Sequence, residues 1–259
     1  MENSGVFKSI IADYEAARPG YPDALFRDIL AYSDLAQPRN ILEIGAGPGQ
    51  ASDYFTREGF QLTALEISQE QVEYLENKYA DHPNFRAVCS RFEDFSATDG
   101  AFDIVFSATA FHWIAPEVGY PNVYRLLRHG GVIAVFWHLA SIIEPQTEML
   151  QQIRAIYRAV APELDDYLDG DAAEELHQLR LSQIATDHLF QNPVSRVYRW
   201  DDVYTTQRYL QLMNSYSDFY SISPGKREAI LSQVADYIES KGGSIVIPQK
   251  VRLYLAKKE

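Results

Sequence analysis

Gly45, Gly47 and Gly49 stand at every second position directly behind the apolar run Ile41-Leu42-Glu43-Ile44. The pattern reads as a strand that ends in a turn free of side chains, followed by a helix over 51–58. Without Cβ atoms the backbone can take φ > 0, and a ligand can lie against it. The N–H groups left unpaired where the helix begins favour polar or anionic ligand groups. Such a turn holds a nucleotide-like cofactor at the carboxyl end of the first strand of an open α/β sheet. Glu66 closes the next apolar run, 61–67, where a carboxylate can accept both hydroxyls of a ribose. A dinucleotide-binding turn would carry a further glycine at position 50, which is Gln50. The G-x-G-x-G pattern suits a cofactor with no pyrophosphate to cradle.

Alternating strands and helices must bring these residues to one edge. Strands are predicted at 40–44, 61–67, 85–90, 102–107 and 132–137. Ser68 with Gln71 fits a capping box that opens a helix over 69–79. A helix near 122–127 stops at Gly130-Gly131. Strands joined through helices pair in parallel, with ligand chemistry at their carboxyl ends. Glu43-Ile44, Glu66, Ser90, Phe111-His112 and Trp137-His138 therefore belong on one edge of the sheet. Ahead of this unit, 2–18 reads as a helix broken by Pro19 and Pro22, and 23–32 as a second helix with Leu25, Phe26, Ile29 and Leu30 on one face. Behind it come helices over 145–160 and 174–189 and a strand over 194–200. Asp201-Asp202 caps an aromatic-rich helix over 203–216. A helix over 224–241 stops at Gly242-Gly243, and a final strand spans 244–256. The two helices between the last two strands would form a small lid over the sheet edge.

Composition narrows the function classes. Lys plus Arg is 23 against 36 for Asp plus Glu, a net charge of −13. A surface that acidic argues against a general nucleic-acid binder. The one cysteine, Cys89, excludes an intrachain disulfide, which suits a reducing compartment. His82, His177 and His188 have no ligand-like spacing, so no structural metal is expected. No stretch has the length and composition of a membrane span, and the expectation is a soluble, cytoplasmic protein.

Glu43-Ile44-Gly45-Ala46-Gly47-Pro48-Gly49, Glu66, Phe102-Asp103-Ile104-Val105 and Leu126-Leu127-Arg128-His129-Gly130-Gly131 resemble the successive motifs of class I S-adenosylmethionine-dependent methyltransferases. Ala110-Phe111-His112-Trp113-Ile114 and Arg18-Pro19-Gly20-Tyr21-Pro22 are similar to a small-molecule subfamily that includes relatives of trans-aconitate methyltransferase. The resemblance covers roughly residues 10–140 and the remainder only in outline. It implies a Rossmann-like, seven-stranded, mostly parallel sheet whose last strand is antiparallel, with helices on both faces. The chain then forms one domain: an N-terminal helical cap (1–36), a cofactor-binding core (37–140), and the remaining strands with a helical substrate lid (141–259, the lid about 201–243).

For the cofactor, S-adenosyl-L-methionine, the resemblance implies that Gly45, Ala46, Gly47 and Gly49 approach the methionine part. Glu43 would sit near its ammonium, Glu66 on the ribose, and Ile67 and Ala108 beside them. Arg91, Phe92 and Glu93 follow strand three, where the family flanks the adenine; many relatives place an acid where Arg91 stands. Tyr14 and Arg18 lie one helical turn apart. Arg18 could pair with the cofactor carboxylate, while Tyr14 faces the sulfonium and walls off the methyl group. Phe111, His112 and Trp113 follow strand four, where the methyl should emerge, and aromatic walls suit a sulfonium. His112 could serve as a base or as a satisfied structural histidine, since in-line transfer needs no obligate base. His138, Trp200 and Tyr216 join His112 and Trp113 as candidate substrate contacts. The expected acceptor is a small molecule, with no nucleic-acid or membrane partner. A nicotinamide-dependent oxidoreductase and a non-catalytic cofactor-binding protein of the same fold are the alternatives.

Overall fold

The structure, a computed structural model, describes residues 15–33, 40–139, 147–164, 170–186, 189–216, 219 and 221–259. In chain order its elements are α1 (Asp23–Ser33), β1 (Asn40–Ile44), α2 (Ser52–Arg57), β2 (Gln61–Glu66), α3 (Gln69–Lys78), β3 (Phe85–Cys89), β4 (Phe102–Ala108), α4 (Pro116–Leu126) and β5 (Leu127–His138). There follow α5 (Glu148–Val160), α6 (Gly170–Ile184), β6 (Gln191–Thr205), α7 (Thr206–Asn214), α8 (Pro224–Ser240) and β7 (Ser244–Lys257).

One seven-stranded sheet has the order β3-β2-β1-β4-β5-β7-β6. β1 pairs in parallel with β2 and β4, and β7 runs antiparallel to both β5 and β6. The expected Rossmann-like arrangement with an antiparallel last strand is the one observed. Between β1 and β4 the chain leaves to opposite sides, and this is the switch point where ligands of open α/β sheets bind.

Period-two alternation sorts each strand's side chains between two cores. On one face Ile41, Phe106, Ala134 and Phe136 pack with Leu25, Phe26 and Ile29 of α1 and Tyr54 and Phe55 of α2. On the other, Leu42, Val105, Val135 and Trp137 pack with Tyr120, Val123 and Leu126 of α4 and Ile184 of α6. A third cluster joins Ile153 of α5, Tyr209, Leu212 and Met213 of α7, and Ile230, Val234 and Ile238 of α8 to Ile245 and Ile247 of β7. That cluster is the lid, seated at the end of the sheet where β6 and β7 run on beyond His138 of β5; it recruits α5 as well as the two expected helices.

Several boundaries differ from the sequence reading. β6 continues through Asp201 and Asp202 to Thr205, because β7 supplies register partners as far as Thr205↔Ser244. Asp202 does not cap α7; its carboxylate accepts two bonds of 2.9 Å from the Arg208 guanidinium, and Thr205 Oγ1 is the cap, accepting from Arg208 N. Gly130-Gly131 does not stop a helix. α4 has already ended at Leu126, and the pair bends the start of β5, with Gly130 at φ 74° and no room for a Cβ on Gly131. Ser68 caps α3 by accepting from Gln71 N, but Gln71 does not return the bond, because Ser68 N is held by Glu66. Among the described residues no helix is long and apolar enough to cross a membrane, and no group of three His, Cys, Asp or Glu is placed to hold a metal ion.

Candidate functional site

Behind β1 the chain folds back on β2: Gly45 N and Ala46 N both donate to Leu65 O at 3.0 Å. All three glycines take positive φ, at 69°, 55° and 90°, but they do different work. A Cβ on Gly45 would lie 2.5 Å from Ala110 Cβ, and one on Gly49 would lie 2.7 Å from Tyr79 Oη. Those two are packing glycines, pressed against the loop after β4 and against α3. Gly47 alone faces space: the nearest atom to its Cβ would be Gln71 Oε1 at 3.7 Å.

Glu66 organises that turn. Its Oε2 accepts from Gly47 N at 2.9 Å, and its Oε1 from Ile67 N at 2.8 Å and Ser68 N at 3.3 Å. A carboxylate offers about four acceptor positions, so three are taken and one remains. Accepting both ribose hydroxyls therefore requires release of the long Ser68 bond. Glu43 lies beneath the turn, wholly buried, with Oε2 accepting from Ser52 Oγ and Oε1 without a partner. Burial pushes its carboxyl up to about 8 against the opposing Ser52 hydrogen bond, so Glu43 is protonated at neutral pH. Gln71 Oε1 is likewise buried without a partner, in front of Gly47. A buried acceptor gave no signal in the sequence beyond the capping box.

From the turn a cavity of about 380 Å³ runs under the lid. Gly45, Ala46, Gly47 and Pro48 form one end, with Ala108, Thr109 and Ala110 beside them; Leu150, Ile153, Tyr157, Leu212, Met213 and Phe219 form the roof. Thr109 holds φ 56°, a conformation unfavourable for a β-branched residue. It is fixed by Thr109 N donating to Phe136 O at 2.8 Å and by a 3.0 Å contact between its Oγ1 and Tyr21 Oη. Tyr21 belongs to the Arg18–Pro22 motif, which assigned it no role, and no sequence signal marked Thr109.

The N-terminal segment crosses this end of the cavity. The Glu15 carboxylate pairs with Lys78 Nζ and accepts from Tyr74 Oη at 2.6 Å, while Gln50 Nε2 donates to Glu15 O at 3.2 Å. Arg18 lines the cavity, donates to Ser215 O at 2.7 Å and lies over the Tyr216 ring at 4.4 Å. Tyr14 lies outside the described residues.

The two candidate histidines sit on opposite faces of the sheet. Trp137 and His138 are consecutive on β5 and point apart. His138 lines the cavity, between the rings of Tyr21 at 4.7 Å and Trp200 at 5.9 Å. Burial, helped by Arg18, pushes its imidazole down to about 4, so it is neutral at physiological pH. His112 is on the far side, its Nδ1 accepting from Trp137 Nε1 at 3.0 Å. Burial, then Arg180, lowers its pKa.

The aromatic run after β4 does not wall the cavity. Phe111 is core, 5.0 Å from Tyr120, and Trp113 is 82% exposed. The Phe92 ring is core too, which leaves only its backbone toward the surface, while Arg91 and Glu93 pair with each other at 3.2 Å. Ile67 is 73% exposed beside Glu66. Of the expected contacts, Arg18, Gly45, Ala46, Gly47, Ala108, His138 and Tyr216 meet in one cavity. Glu66 holds the turn from outside it, and Trp200 reaches it only through His138.

Comparison with known proteins matches residues 42–135 to a methyltransferase domain family. An uncharacterised methyltransferase-like protein of Schizosaccharomyces pombe is 25% identical over 229 residues, 88% of this chain and 84% of its own length. An uncharacterised methyltransferase of Mycobacterium tuberculosis is 30% identical over 132 residues; the match spans 51% of this chain and about half of that relative, 51%. Among solved structures, phosphoethanolamine N-methyltransferase 2 of Haemonchus contortus, in complex with phosphomonomethylethanolamine and S-adenosylhomocysteine, superposes with TM-score 0.55 at 16% identity, over 97% of this chain and 57% of that one. At that identity the likeness concerns the fold alone.

Proposed function

We infer that this chain, in which residues 42–135 match a methyltransferase domain family, is a class I S-adenosylmethionine-dependent methyltransferase that moves the methyl group of that cofactor onto a small-molecule acceptor held beneath the lid. The observation that carries the reading is one continuous cavity joining the Gly45–Pro48 backbone to the lid. Donor and acceptor would share one continuous cleft, which suits an in-line displacement. A volume of about 380 Å³ lies within the small-molecule range.

The residues present fit the cofactor. Gly47 leaves open space in front of its backbone, Glu66 keeps one acceptor position, and Gln71 Oε1 is a buried acceptor without a partner. Ala46, Gly47 and Glu66 would hold it, and Arg18, in the same cavity, would meet its carboxylate. When bound, the cofactor supplies an electrophilic methyl on a cationic sulfonium. The chain's own contribution is positioning and exclusion of water: the lid covers the acceptor side with apolar side chains, and the aromatic residues Tyr21, Tyr157 and Tyr209 line the space where a cation would lie. His112 lies across the sheet from this cavity, so the reading gives it no contact with the reacting atoms.

Isothermal titration with S-adenosylhomocysteine, S-adenosylmethionine and NADH tests the donor, and transfer of isotope-labelled methyl to a panel of small acceptors tests the reaction. The expected result is binding of the first two and label transfer. Binding of NADH with neither sulfur cofactor would overturn the reading, and cofactor binding without transfer to any acceptor would leave a binding protein.

A further inference from the structure

Most polar groups lining the cavity already have partners. Thr109 is held by Tyr21, Gln50 by the carbonyl of Glu15, and Arg18 by the carbonyl of Ser215. Two further polar side chains sit together on the floor, where β5 and β7 meet. The ring nitrogens of His138 are buried; the Pro19 backbone approaches the imidazole, but no hydrogen bond of full geometry forms. Gln249, 8% exposed on β7, also lines the cavity. His138 is the register partner of Val251, which puts Gln249 at the diagonal position on the same face; such side chains lie about 7–8 Å apart at their origins and can converge on one ligand atom. Trp200, register partner of Gln249, stands against the His138 ring, and Tyr21 covers its other side. An imidazole and a carboxamide, each with donor and acceptor atoms, thus stand side by side on the wall of a mostly apolar cavity. Buried polar groups are ordinarily satisfied, so buried imidazole nitrogens without a well-made bond, beside a carboxamide lining the same cavity, point to a ligand.

We propose that His138 and Gln249 form the polar anchor of the acceptor subsite, hydrogen-bonding an uncharged hydroxyl or carbonyl on an otherwise apolar, ring-bearing acceptor. The proposal rests on the methyltransferase reading above. A neutral imidazole and a carboxamide can each donate and accept, which matches a hydroxyl or carbonyl and gives no advantage to an ion. No carboxylate lines the cavity among the described residues, whereas Arg18 and Arg154 do, so an ammonium would be repelled. An anion would draw on those arginines and not on this pair. Ring contacts with Tyr21 and, edge-on, with Trp200 hold the imidazole in place, so its direction is set before the acceptor arrives.

The test uses four naphthalene probes that differ at position 2: hydroxymethyl, ethyl, aminomethyl and carboxylate. Each is titrated calorimetrically into the full chain saturated with S-adenosylhomocysteine, in the wild type, His138→Phe and Gln249→Leu. The hydroxymethyl probe should bind at least about tenfold tighter than the ethyl and aminomethyl probes. Its advantage over ethyl should fall below about threefold in each variant, while affinity for S-adenosylhomocysteine stays within about threefold. A pocket built to bond a polar group rejects the analogue that lacks it. Gln249→Leu keeps the test open if phenylalanine at position 138 disturbs the fold. Four results would overturn the proposal: no preference for hydroxymethyl over ethyl, a preference that survives both substitutions, tightest binding of the carboxylate, or no binding of any probe to a protein that binds S-adenosylhomocysteine. Failure of the wild type to bind S-adenosylhomocysteine overturns the methyltransferase reading, and this proposal with it.

Discussion

Replacing Glu66 by glutamine separates two roles that the carboxylate plays at once. In the structure its oxygens take three backbone N–H groups, from Gly47, Ile67 and Ser68. Glutamine has nearly the same shape but only one acceptor oxygen. Whichever way the amide turns, its NH2 faces either Gly47 N or the Ile67–Ser68 pair, so one side of the turn loses its acceptor. A hydrogen bond to a charged group contributes about 1.5–3 kcal/mol. Residual solvent access to Glu66 lets water replace part of that, so a loss of about 2 kcal/mol is expected. For a chain of this size each kcal/mol lowers Tm by about 2–4 °C, which gives a fall of about 4–8 °C. The free Gly47 amide and the lost charge should also weaken S-adenosylhomocysteine about 10–100-fold, because each tenfold is about 1.4 kcal/mol. Differential scanning calorimetry and titration of the same samples read both effects. A Tm within about 1 °C of wild type together with unchanged affinity would refute the assignment of Glu66 as the organiser of the turn.

The glycines should separate by role. Gly45→Ala meets Ala110 Cβ at 2.5 Å and keeps φ at 69°, so it should cost about 2–4 kcal/mol in denaturant unfolding. Gly47→Ala meets only Gln71 Oε1 at 3.7 Å and should cost about 1 kcal/mol yet lose most S-adenosylhomocysteine affinity in titration, its methyl occupying the ligand's approach. His112→Phe orphans the Trp137 indole N–H and should destabilise by about 1–3 kcal/mol, while methyl transfer from labelled donor persists; loss of transfer with unchanged stability would reverse the placement of that histidine. Glu43 has a folded pKa of about 8, above the ordinary 4.5. The native state therefore binds more protons than the unfolded chain between those values, and stability from this group falls as pH rises through that window. Glu43→Gln should flatten that fall, making the variant more stable relative to wild type at pH 8 than at pH 5 in chemical denaturation.

The cofactor half was legible because its signals are local. Strand–turn–helix punctuation, three spaced glycines and an acid at the end of the next strand depend on residues close in sequence, and β1 to β4 fall where the pattern put them. What escaped depends on pairing across the sheet. β6 was cut short at Trp200 because Asp201-Asp202 resembles a helix cap; the strand continues since β7 offers backbone partners and Arg208 neutralises Asp202. The Phe111-His112-Trp113 run looked like a pocket wall because it follows a strand's carboxyl end, but a short 3₁₀ turn sends Phe111 into the core and Trp113 outward. Gln249 carried no signal at all: a glutamine in an apolar strand reads as an exposed position until the cavity above it is known. Arg18 and Tyr216, far apart in the chain, were both named, but only the fold stacks one on the other.

The division of β5 between Trp137 and His138 sets a constraint on how this protein can vary. Which aromatic heterocycle meets the cavity is decided by parity, counted from the bend at Gly130-Gly131. A single-residue insertion or deletion between that bend and His138 would exchange the two faces, carrying the indole into the cavity and the imidazole beneath α4 and α6. A change of two residues would restore the parity. Length variation in this strand should therefore be tolerated in even steps and rejected in odd ones, so the strand's count of residues is part of its specificity, as much as the identity of the side chain at its end.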